Sequence, residues 1–164
     1  MEKTQKSPDS QKRPPPNVHI DNRQKALPIK KRTVSTIVKE LLSFLQVRCE
    51  EISVYFVTEK KIAELHDQFF QDPTITDCIS FPIDDKHLGE IFVCPAVAIA
   101  YAKKHNLDPW DETLLYLVHG ILHLIGYDDL DPKSKKIMRK MEKKCLRHIS
   151  SALVPPQKHP KRLN

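Results

Sequence analysis

The amino-acid sequence predicts an α+β fold: a small mixed four-stranded sheet with surrounding helices, and a metal site at the end of a central helix. Three observations carry this. Apolar residues recur at helical spacing in some segments and cluster with β-branched and aromatic residues in short others. Two strand-like segments follow one another across the turn "DDKH", so strands and helices do not simply alternate. Two histidines stand four apart near the end of the most apolar helical run, "LVHGILHLIGYDDLD" (117–131).

Taken in order, "NVHID" (17–21) is a short strand. Residues 33–47 carry Val34, Ile37, Val38, Leu41, Leu42 and Leu45 at helical spacing. "EISVYFV" (51–57) is a strand, and Thr58 opens a helix with Ile62, Leu65 and Phe69 on one face. "DCISFPI" (77–83) and "LGEIFVC" (88–94) are strands, the first short or at an edge because Pro82 cannot donate to a ladder. Residues 95–107 read as helix. Asp108 then caps a helix, Pro109 takes its first position, and Asp111 and Glu112 complement its dipole. That helix runs to about Ile125, where Gly126 stops it. Asp131-Pro132 opens a last helix reaching about Ser151, with Ile137, Met141, Cys145 and Ile149 as its buried stripe.

With 164 residues, the chain suits a single domain, placed at 17–153. Residues 1–16, ending in Pro14-Pro15-Pro16, are expected to be a disordered basic arm, and 154–164 a flexible basic tail. The N-terminal stretch has no apolar core, so no secretory signal is expected, and no apolar run approaches the roughly 20 residues of a membrane span. Cys49, Cys78, Cys94 and Cys145 lie far apart without a CxxC pair, which points to free, buried thiols and a cytoplasmic setting.

The net charge of +6 is unevenly spread. Residues 1–32 carry nine Lys/Arg against three Asp/Glu, residues 33–132 seven against seventeen, and residues 133–164 eleven against one. Basic ends can neutralise the phosphates of a nucleic acid, or simply be solvated. The acidic centre repels phosphates unless a cation sits in it.

His119 and His123, at i and i+4, place both imidazoles on one helical face, where two nitrogens can reach one Zn²⁺. Gly126 lets the chain turn back, and Asp129, with Asp128 beside it, follows six residues after His123. A His, His, Asp set results. The bland alternative is a buried helix with two core histidines. The spacing also resembles the H-E-x-x-H-x-x-G-x-x-[H/D] pattern of metallopeptidases, but Gly120 stands where their general base belongs, and glycine cannot accept a proton.

"HGILHLIGYDD" (119–129) resembles more closely the YbeY family of bacterial rRNA maturation endoribonucleases, with its pattern H-G-x-L-H-L-x-G-Y-D-H. "TDCISFP" (76–82) and "LGEIFVC" (88–94) resemble that family's T-D-V-L-S-F-P and L-G-D-I-x-I-C blocks, in the same order, and the likeness spans roughly 18–152. The resemblance implies metal-dependent cleavage of single-stranded RNA, in 16S rRNA 3′-end maturation, ribosome assembly and quality control. It implies one Zn²⁺ per chain, held by His119, His123 and, at the place of a third histidine, Asp129. The expected partners are the 16S rRNA precursor and the ribosomal small subunit, with no membrane.

Two departures stand out. Asp129 replaces a histidine and adds negative charge at the metal. The family's arginine ahead of the T-D block would fall near Phe70, in "QFFQDPTITD", where no arginine occurs. Asp128 and Glu90, with Ser80, are candidates for proton transfer. Lys133, Lys136, Lys140, Lys143, Lys144 and Arg147 on the last helix are the expected RNA-binding surface. The remaining histidines are expected to be structural or at the surface. A non-catalytic ribosome-assembly factor with a structural metal, and a metal-dependent peptidase, stay open as alternatives.

Overall fold

A computed structural model describes residues 13–153, so most of the 1–16 arm and all of the 154–164 tail lie outside the described residues. The order of elements is β1 (Asn17–Asn22), α1 (Lys31–Phe44), β2 (Glu51–Phe56), α2 (Glu59–Phe70), β3 (Cys78–Pro82), β4 (His87–Val93), α3 (Pro95–His105), α4 (Pro109–Leu124) and α5 (Pro132–Leu153). The four strands form one mixed sheet in the order β1-β2-β4-β3. β1 and β4 run parallel to β2, and β3 runs antiparallel to β4. Parallel neighbours need a crossover, which α1 supplies between β1 and β2. β3 is an edge strand, as Pro82 at its end requires.

α4 is the central helix. Leu114, Leu117, Val118, Ile121 and Leu122 are buried in a core shared with α1, α5 and the inward residues Ile52, Val54, Phe56, Ile91 and Val93 of the sheet. A smaller apolar cluster, Val57, Ile62, Leu65, Ile79 and Cys94, lies under α2.

Several boundaries and faces differ from expectation. α1 ends at Phe44 rather than near 47, because Gln46 turns left-handed and Val47 N–H returns to Leu42 O. Phe69 leaves the apolar face of α2 and is 53% exposed, its ring packed on Phe81 with centroids 4.6 Å apart. On α5, Met138 takes the core place expected of Ile137, which is 46% exposed. Cys94 and Cys145 are buried, but Cys49 and Cys78 are only partly so, and all four are free.

Candidate metal centre

The Asp108 carboxylate accepts from Trp110 and Asp111 N–H and starts α4. At the other end Gly126 has φ +102°, a left-handed value that favours glycine. Gly126 N–H donates to His123 O and Tyr127 N–H to Leu122 O, the paired bonds of a Schellman turn. This turn has a direct consequence for the site. It carries Tyr127 O back over the helix end, where it accepts from His123 Nδ1 at 2.9 Å.

His119 is held from another element. Its Nδ1 lies 2.6 Å from Glu142 Oε1 on α5, the sole acid among residues 133–164. No motif in the sequence marks Glu142 as a site residue. The available signal is a lone carboxylate in a basic helix, one step from the buried stripe at Met141. With both Nδ1–H groups donating, both Nε2 lone pairs point into the same space, 2.9 Å apart. Asp129 closes the group: its two oxygens stand 3.7 Å from His119 Nε2 and 3.7 Å from His123 Nε2.

In the neutral state of both rings, two lone pairs and a carboxylate converge without a donor among them, a set that suits a proton or a metal cation. In a tetrahedral zinc site with ligand bonds near 2.0–2.1 Å, neighbouring donor atoms are about 3.3 Å apart. The observed separations of 2.9 and 3.7 Å bracket that value. His119, His123 and Asp129 are also the one His/Cys/Asp/Glu group among the described residues that can hold a metal ion. Burial works against a charge on His119, but the Glu142 hydrogen bond and the Glu142, Asp129 and Asp77 carboxylates outweigh it and raise its pKa. The site therefore favours positive charge.

Gly120, between the histidines, faces the sheet. A Cβ there would meet Ile91 Cγ2 at 2.6 Å and Ser80 Oγ at 3.1 Å. The place where a metallopeptidase carries its base is thus a helix–sheet contact. Ser80 is engaged in the same contact, its hydroxyl donating to Gly120 O at 3.1 Å. Glu90 is not brought to the cluster. Gly89, Ile91 and Val93 alternate with it along β4 and are buried on the α4 side, while Glu90 accepts from Tyr55 OH on the opposite face. Asp128 is exposed on the turn, where its Oδ1 accepts from Leu130 N–H.

A cleft runs from His123 along β3, lined by His66, Phe70, Thr76, Cys78, Ile79, Ser80 and Pro82. No lysine or arginine lines it among the described residues. Phe70 does reach it, as does His66, which sequence spacing alone places with the structural histidines. On the other side of His119, Asp77, Glu112, Tyr116 and Glu142 line an acidic recess. Burial raises the Glu112 pKa, and Asp77 and Glu142 add to this against the Tyr116 hydrogen bond. The expected cations of α5 lie elsewhere. Lys136, Lys140, Lys143, Lys144 and Arg147 form one stripe, which Lys135 and Arg139 join and Lys133 does not.

Known proteins resemble this chain over most of its length. The family model described as Endoribonuclease YbeY matches residues 19–150. A protein named Endoribonuclease YbeY from Protochlamydia amoebophila is 46% identical over 138 residues, covering 80% of this chain and 92% of that one. One of the same name from Chlamydia pneumoniae is 39% identical over 139 residues, covering 79% and 88%. The solution structure of TM1509 from Thermotoga maritima is similar with a TM-score of 0.62 at 28% identity, over 82% of this chain and 90% of that one. With a family model matched over residues 19–150 and relatives of that name up to 46% identical over most of their length, the chain belongs to the Endoribonuclease YbeY family.

Proposed function

We propose that the chain is a metal-dependent endoribonuclease that cuts single-stranded RNA at His119, His123 and Asp129, acting in the cytoplasm on the 3′ end of the 16S rRNA precursor within the small ribosomal subunit. The convergence of both Nε2 atoms and the Asp129 carboxylate on one point carries the reading. The homologues' names support RNA as the substrate. Zinc suits the donor set of two imidazoles and one carboxylate, one ion per chain. When bound, such an ion supplies Lewis-acid polarisation of a phosphoryl oxygen and lowers the pKa of water.

The chain's own residues do the rest. Glu142 and Tyr127 O fix both imidazole rings with Nε2 inward, so the site is organised before substrate arrives. Asp129 contributes a negative charge that makes the centre less electrophilic than three imidazoles would. Asp128, exposed beside it, is the carboxylate proposed to accept a proton. The α5 stripe holds backbone phosphates away from the acidic recess.

The rival reading is an assembly factor with a structural metal, favoured by the lack of any Lys or Arg in the cleft among the described residues. One experiment separates the two. Zinc-loaded protein should cleave single-stranded RNA, and a folded His119→Ala variant should not. Equal cleavage by parent and variant would remove the proposal, and no cleavage by either would favour the assembly factor.

A further inference from the structure

An isolated exposed phenylalanine needs no explanation. Phe70 is not isolated in that sense. It is 57% exposed, belongs to neither apolar cluster, and stands in the cleft that His123 lines. It is the last residue of α2, and Gln71 turns left-handed directly after it. One turn earlier, His66 is anchored to the following loop, its Nδ1 2.9 Å from Thr74 O. The His66 ring leans on Phe70 with centroids 5.4 Å apart at 54°. The phenyl ring is thus braced by one neighbour while much of it stays open to solvent. Packing within the fold leaves this ring uncovered, and among the described residues no lysine or arginine lines the cleft to meet an RNA phosphate.

We propose that Phe70 is a base-binding residue: its open face stacks an unpaired nucleobase and so places the adjoining phosphate at His119, His123 and Asp129. The inference rests on RNA as the substrate of the metal centre. Every base has a π-face, so such stacking is tolerant of sequence. A base in a duplex is already stacked on both sides and must be extruded to reach the ring. Phe70 thereby selects single strands, with stacking taking the place of an ion pair beside the metal.

The test uses the zinc-loaded full chain and RNA oligonucleotides in which one abasic nucleotide is stepped along the strand. Phe70→Leu should raise KM by about fivefold or more, the lower end of what losing one stacked base costs. Phe70→Trp should keep the parent KM. In the parent, one abasic position should be especially damaging, and in Phe70→Leu that position should cost nothing extra. Trp110 is the sole native tryptophan, so the indole of Phe70→Trp gives a readout that needs no turnover. Its emission should be quenched by single-stranded RNA and much less by the matching duplex. A parent-like KM with an unchanged abasic profile in Phe70→Leu, or equal quenching by both strands, overturns the inference. Failure of the parent to cleave RNA, with the single-strand quench intact, would instead count against the metal-centre reading alone.

Discussion

Glu142 of α5 lies 2.6 Å from Nδ1 of His119 on α4, a pairing of residues 23 apart that joins the last helix to the candidate metal centre. Glu142 is mostly buried, with its side chain 14% exposed against 20% for His119. A carboxylate in this place fixes the imidazole tautomer and raises its basicity as a ligand. Glu142→Ala should therefore weaken zinc binding by about 10- to 100-fold while His119 stays in place. Glu142→Gln, which can still accept the Nδ1–H, should lose less. Competitive chelation on the purified variants checks both, and parent-like affinity in Glu142→Ala would make the pairing merely structural.

Asp129→Ala should weaken zinc binding by at least about tenfold, on the order of 1.4 kcal/mol. Asp129→His should keep or strengthen it, because imidazole can replace the carboxylate on the turn. Asp128→Ala should matter less, since Asp128 points to Leu130 N–H rather than into the cluster. The opposite ranking of the two alanine variants would shift the ligand assignment by one residue.

Replacing Lys136, Lys140 and Lys144 with Gln should weaken RNA binding and flatten its salt dependence, by a log–log slope of about 0.7 for each phosphate no longer neutralised. Metal content should not change, because the stripe does not include Glu142. An unaltered affinity and slope would exclude α5 as the binding face.

Gly120→Ala should destabilise the fold by about 1–3 kcal/mol, because its Cβ enters the Ile91 side chain 2.6 Å away. Gly120→Glu should unfold the domain rather than install a peptidase base. Thermal melts decide this, and a stable, peptide-cleaving Gly120→Glu variant would contradict the packing argument.

Glu112 is buried and its pKa is raised above the ordinary 4.5. The folded state then binds the proton more tightly than the unfolded one. Its charge costs stability as pH rises from about that ordinary value through the folded one. Glu112→Gln should raise the melting temperature at neutral pH, with the gain fading below about pH 4, where both states hold the proton. A gain independent of pH would assign the effect to packing instead.

The sequence by itself determined the elements of this fold and the local half of the site. The Asp108 cap, the i, i+4 histidines and the Gly126 turn are encoded within some twenty consecutive residues, and short-range geometry alone sets their mutual placement. Pro82, whose missing N–H is likewise a local property, marked β3 as short or at an edge, and the sheet order puts it at the edge. Tertiary structure decided everything that joins distant segments. Glu142 reaches His119 only because Met138, Cys145 and Ile149 seat α5 in the core, a choice of face that the neighbouring apolar residue Ile137 left open. Glu90 was sent to the far side of the sheet by strand alternation, once β4 had paired with β2 and β3. Phe70 and His66 came to the cleft because α2 ends beside β3. Such placements depend on how apolar faces pack across the chain, and no spacing within one segment records which faces will meet.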